Sequence, residues 1–240
     1  MGSSADWTPI VRDLEDGFHC LTVDLPGHGQ SLDQPEEAYS VEGATEAVVE
    51  VLGAEGISSC TIIGYSMGGR VALSLALRYS DRVDRLVLES ASPGLRTEAK
   101  RAERRDVDAK RAARIEKDLE AFLADWYRLP LFGSLARHDL IGEMVETRSE
   151  NDPDELARAL RGLSPGQQVS LWNRLGEINC PTLVLTGVLD DKYTAITKKA
   201  AARIETARRV VIPEAGHNVH AEHPSAFLDV LQQFLTDTAE

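Results

Sequence analysis

The chain has 240 residues, a formal net charge of −13 and 42% hydrophobic residues. That length fits one domain, with or without an inserted subdomain, and the apolar content suits a buried core. The acidity argues against nucleic acid or anionic lipid as partner, since both require a basic face. No apolar run approaches the ~20 residues of a membrane span, and no signal peptide opens the chain. Cys20, Cys60 and Cys180 fall at or beside expected strand starts without a C-x-x-C pair. They read as reduced core thiols in a cytoplasmic protein.

In chain order, residues 6–14 predict a short helix with Trp7, Ile10, Val11 and Leu14 on one face. Residues 19–25 predict a strand, and Pro26 to Ser31 a glycine-built loop. His28 reads as a loop-tip residue rather than a base, and Asp24 as an acid bonding the next turn's amides. Residues 40–52 predict a helix capped by Ser40. Thr61 to Ile63 is a β-branched run, followed by Gly64-Tyr65-Ser66-Met67-Gly68 and then Val71, Ala72, Leu75 and Ala76 at helical spacing. Strand, G-x-S-x-G turn and helix together form a nucleophile elbow, which holds Ser66 above the sheet edge on a strained backbone. The N–H of Met67, at the head of the following helix, faces any negative charge developing there.

Residues 83–88 form the next expected strand. Residues 97–123 are crowded with charge and alanine and read as one or two solvated helices. An aromatic interruption follows at 126–132, then short helices at 139–148, 154–163 and 166–175. This block, residues 95–171, is expected to be a helical cap between two parts of an α/β core, residues 1–94 and 172–240. Strand 181–187, helix 194–204, strand 208–213 and helix 224–235 complete the chain. An elbow serine needs an acid and a histidine later in sequence. Asp190 follows one strand and His217 another, each past a carboxyl end, where open α/β sheets carry their sites. Glu89, at the end of strand 83–88, stands as an alternative acid. His220 and His223 lie within a turn of His217, but the strand–Gly–His arrangement favours His217.

These residues resemble the α/β-hydrolase superfamily in Asp24-Leu-Pro-Gly-His-Gly29, the elbow, Gly187-x-x-Asp190 and Gly216-His217. The resemblance implies a mostly parallel sheet with helices on both faces and an inserted helical cap. A narrower set resembles the 2-succinyl-6-hydroxy-2,4-cyclohexadiene-1-carboxylate synthases of menaquinone and phylloquinone biosynthesis. It comprises Gly68-Gly-Arg70, Glu89 to Leu95, Arg101-x-x-Arg104, Trp126-Tyr127 with Pro130-Leu-Phe132, Arg148-Ser149, Asp190 to Tyr193 and Ala215 to Asn218. What this implies is a lyase acting on a small polycarboxylate. Arg70, Arg104 and Arg148 would hold carboxylates, Tyr65 and Trp126 would wall the pocket, and Ser66, His217 and Asp190 would abstract a proton so that pyruvate leaves. Neither a metal nor an organic cofactor is required. A carboxylic-ester or thioester hydrolase on the same triad, and a non-catalytic carboxylate-binding protein, are the competing readings.

The resemblance also implies a β-hairpin, a central strand and a His-Gly-aromatic turn ahead of the region matching Ser3 to Trp7. These are expected to be missing here, with Met1 internal to a longer product. Strand 19–25 would then either close onto strand 60–65 or stand apart, with a cost in solubility or activity.

Overall fold

The computed structural model describes residues 1–237. A 3-10 turn at Ser4–Trp7 leads into helix α1, Thr8–Leu14. Helix α2 spans Val41–Ala54, with the Ser40 hydroxyl accepting from the Gly43 N–H as its cap. Strand β1, Cys60–Tyr65, runs through Ser66 into α3, Met67–Arg78, and β2 follows at Val83–Glu89. The charged block then folds as α4 (Glu98–Lys117), α5 (Leu119–Trp126), α6 (Ile141–Arg148) and α7 (Pro153–Gly162). The chain returns as β3 (Thr182–Gly187), α8 (Asp191–Ala201), β4 (Ala207–Ile212), α9 (Val219–Glu222) and α10 (Pro224–Thr236).

Among the described residues the sheet has four strands in the order β1-β2-β3-β4, all parallel. Parallel strands are buried on both faces, so they carry apolar runs whose alternate residues serve opposite layers. Leu86, Leu88 and Val184 pack with Leu75 and Ala76 of α3 and Ala200 of α8. Val87, Leu183 and Leu185 point the other way, onto Ile10 and Leu14 of α1 and Phe227, Leu231 and Phe234 of α10. The helical block has its own core, where Ile115, Phe122, Leu123, Leu135, Met144 and Leu156 meet. It touches the sheet layer through Ala159 and Leu163, which pack on Tyr39, Val41, Ala44 and Val71. The strand ends carrying Ser66 and Asp190 therefore open beneath this block. No helix among the described residues is long and apolar enough to cross a membrane.

Three expectations need correction. Residues 19–25 take no regular secondary structure and pair with no strand among the described residues. Of the two expected arrangements they stand apart, and a cavity separates them from β1. The apolar pattern there predicts a strand, but a strand also needs a hydrogen-bonded neighbour. Residues 166–175 do not form a helix, because Pro165-Gly166 makes a turn and the segment spends its polar groups on the core. The Leu171 N–H donates to the Pro93 carbonyl and the Trp172 indole N–H to the Gly94 carbonyl. The three cysteines are free thiols but only half-buried, with Cys180 and Cys20 packed against the edges of the two core layers rather than inside them. Smaller shifts are local: Asp118 caps α5 and so divides 97–123 into two helices, and Asp190 caps α8 and starts it at Asp191.

Candidate active site

The site is built on the strain at Ser66. Its φ of 47° and ψ of −101° lie where a side chain rarely sits. The Ser66 N–H donates to the Glu89 carbonyl at 2.8 Å, which ties the turn to the neighbouring strand. Close packing demands glycine around it: a Cβ on Gly64 would lie 2.5 Å from the Gly68 carbonyl oxygen, and one on Gly69 2.5 Å from the Ala91 Cβ. So pinned, the hydroxyl projects above the strand end. Met67 opens α3, where first-turn N–H groups lack intrahelical partners and favour negative charge.

Ser66 Oγ lies 3.0 Å from His217 Nε2, and His217 Nδ1 lies 2.7 Å from Asp190 Oδ2. A carboxylate at Nδ1 makes that nitrogen the donor, which leaves Nε2 to accept from the serine hydroxyl. His217 is 1% exposed. The second Asp190 oxygen accepts from the Tyr193 N–H at 3.0 Å, so both oxygens are fixed. The histidine loop is held by Glu222, which accepts from the Gly216 N–H at 2.7 Å and the Asn218 N–H at 2.9 Å. Sequence reasoning missed Glu222; the available signal was an acid on the short helix directly after Gly216-His217. Glu89, the alternative acid, is engaged elsewhere: His220 Nδ1 lies 2.8 Å from its Oε2, and the His220 N–H donates to its Oε1. Trp7 stacks on His220 with centroids 4.4 Å apart.

A cavity of about 760 Å³ joins Ser66, Met67 and His217 to Tyr65, Arg70, Arg104, Trp126 and Arg148. Arg70 donates through Nη1 to Gln168 Oε1 and through Nη2 to the Leu163 carbonyl, and burial lowers its pKa to about 10. Arg104 is paired with Asp108 at 2.7 Å. Arg148 reaches Asp6 at 2.7 Å, and its Nε is buried without a partner. Burial works to lower the Arg148 pKa, but Tyr127 and Asp6 outweigh it and the net shift is upward. Burial, with Glu89 second, pushes the Tyr65 phenol well above its usual range, so it stays protonated. Lys192 and Tyr193 also line the cavity, and the Tyr193 ring sits 4.4 Å from that of His217. Neither was assigned a role from sequence, although both lie in the quoted Asp190 to Tyr193 stretch. Among the described residues no three His, Cys, Asp or Glu side chains group so as to hold a metal ion.

His28 corrects another expectation. It is 4% exposed rather than at a loop tip, with Nδ1 3.1 Å from the Pro26 carbonyl, and burial lowers its pKa to about 3. Asp24, as expected, bonds turn amides, accepting from the Gln30 N–H and also from the Ser4 N–H. Between about pH 3 and 6.5 unfolded His28 binds a proton that the native side chain refuses. Its contribution to stability is therefore full above pH 6.5 and is lost as pH falls. His28→Asn keeps a donor near Nδ1 but does not titrate. Between pH 7.5 and 5 the wild type should lose about 2 kcal/mol more than this variant in urea unfolding. Equal losses would place His28 in contact with water.

Comparison with known proteins agrees with this architecture. The α/β-hydrolase fold family matches residues 1–224. A Salmonella heidelberg 2-succinyl-6-hydroxy-2,4-cyclohexadiene-1-carboxylate synthase is 35% identical, over 98% of this chain and 90% of its own length. A Bacillus subtilis protein whose name assigns the same activity provisionally is 38% identical, over 98% of this chain and 87% of its own. The solved structure of MenH from S. aureus superimposes with a TM-score of 0.93 at 36% identity, covering 98% of this chain and 89% of that one. The chain belongs to the α/β-hydrolase fold family, and within it to the 2-succinyl-6-hydroxy-2,4-cyclohexadiene-1-carboxylate synthases.

Proposed function

We propose that the chain eliminates pyruvate from 2-succinyl-5-enolpyruvyl-6-hydroxy-3-cyclohexene-1-carboxylate, with Ser66, His217 and Asp190 as the proton-abstracting unit. The ring carbon bearing the succinyl group carries the acidic proton, because the adjacent carbonyl can take the charge. His217 draws the Ser66 proton, and the serine oxygen takes the ring proton. The enolate oxygen is held by the Met67 N–H. As the enolate collapses, a double bond forms at the succinyl-bearing carbon and the ring double bond shifts by one position. The ring carbon–oxygen bond to the enolpyruvyl group breaks, and the departing enolate takes up a proton to become pyruvate. The ring is left with two double bonds. Arg70, Arg104 and Arg148 hold the substrate's carboxylates, and Tyr65 and Trp126 wall the ring.

The observation that supports this best is the opening of the Ser66–His217–Asp190 line into a cavity that arginines also line. An ester hydrolase needs the first feature but not the second. The test is a lactate-dehydrogenase-coupled assay for pyruvate from the cyclohexene substrate, run beside hydrolysis of p-nitrophenyl esters. Pyruvate release should dominate. Ester hydrolysis without pyruvate release would establish the hydrolase instead.

A further inference from the structure

Helix α4 presents Arg104, Asp108, Arg111 and Ile115 on one stripe, spaced by four, three and four residues. Arg104, Arg111 and Ile115 line the cavity that holds Ser66. Between the two arginines lies Asp108, with a side chain 1% exposed on a helix that is otherwise mostly charged surface. Its Oδ2 accepts from Arg104 Nε and Ser164 Oγ, both at 2.7 Å, and its Oδ1 accepts from Arg111 Nη1 at 3.0 Å. One buried carboxylate thus serves two guanidiniums and leaves a positive charge unbalanced. Arg111 also lies over the Trp126 ring, its guanidinium carbon 4.9 Å from the centroid, so its plane is braced by the cavity wall. Arg104 and Arg111 also act on Lys192, which lines the same cavity: after burial, their charges lower its pKa, against the raising effect of Asp190.

We propose that Arg111 is a further substrate-binding residue, a second carboxylate-holding guanidinium beside Arg104, and that Asp108 is the positioning residue that aims both into the cavity. This deepens the proposed function and rests on it. The substrate carries three carboxylates, on the ring, the succinyl chain and the enolpyruvyl group. Arg70 and Arg148 each spend donors on the protein, on Leu163 and Gln168 and on Asp6 and Thr147. The α4 pair supplies a two-pronged cationic site that a single Arg104 would not, and planar forks match carboxylate geometry. Ordinary surface arginines on α4 look different: Arg114 is 54% exposed and pairs with the exposed Asp125.

The test compares R111Q, R111K, D108N and the control R114Q in two measurements on the full chain. One is the kinetics of pyruvate release. The other is calorimetric binding of 2-succinylbenzoate, the aromatic dicarboxylate that the product becomes on losing water. R111Q should raise KM and the Kd of the probe about 10- to 100-fold, with kcat within about threefold. R111K should fall between, because it keeps the charge and loses the fork. D108N should raise KM at least as much as R111Q while holding kcat, a split that general destabilisation does not produce. R114Q should change neither quantity. Unchanged KM and Kd in folded R111Q would overturn the inference. If the wild type binds the probe but releases no pyruvate, the functional reading falls, and the calorimetric comparison alone decides the role of Arg111. A wild type that does neither overturns both.

Discussion

Ser66→Ala is expected to abolish pyruvate release, and His217→Ala to lower it by more than about 10²-fold, the usual scale for general base catalysis. The geometry makes these the largest effects. Oγ is 3.0 Å from His217 Nε2, and the strained turn exists to present that oxygen. Alanine removes the hydroxyl but not the strain, so the variant should fold and fail. Asp190→Asn should also be severe. Its amide would donate to His217 Nδ1, so the proton would shift to Nε2, and Nε2 could no longer accept from Ser66. Asp191 is exposed in the first turn of α8, and Asp191→Asn should be mild. Single-turnover pyruvate formation, with thermal melting to confirm folding, measures all four. If Asp191→Asn is the damaging change, the acid has been misplaced.

Arg70→Lys is the second large effect. Arg70 is 7% exposed, and its two terminal nitrogens already hold Gln168 and the Leu163 carbonyl. A guanidinium can keep those bonds and still turn further donors to the cavity, since it has five N–H groups. Lysine has three donors on one atom and cannot span the same separation. The variant should raise KM about 10- to 100-fold, the value of one charge-assisted carboxylate contact. It should also lose about 1–3 kcal/mol of stability, because a buried acceptor is left unpaired. Kinetics beside urea unfolding separates the two losses. A normal KM in a destabilised protein would make Arg70 a brace for the helical block and nothing more.

What could be read from the chain alone was what is written in contiguous stretches. The elbow is five residues with strand before and helix after, and Asp190 and His217 each follow a strand end. The helical block announced itself by charge, and the alternation in Val83–Glu89 and Thr182–Gly187 matches two buried faces. What could not be read depends on partners distant in sequence. The partner of Glu89 is 131 residues away, and that of Asp6 is 142 away. Residues 19–25 look like a strand because the alternation is present, yet pairing is a property of neighbours. His28 sits among glycines that usually mark an exposed tip, and only the packing of Gly27 on Glu155 and Ala159 reveals the burial. Arg111 is one arginine among many on α4 until Asp108 and Trp126 are seen on either side of it.

The Glu89–His220 pair bears on how repairable this site is. The ends of β2 and β3 each supply an acid, and Glu89 and Leu185 are directly in register. Two neighbouring acids and two histidines look like one catalytic pair and a spare. They are not, because both Glu89 oxygens are committed to His220, and Trp7 closes over that imidazole. Loss of Asp190 therefore cannot be made good by a side-chain rotation next door. Recovering it would take a coordinated change at Glu89, His220 and the ring that covers them, so single-step reversion should run only through position 190 itself.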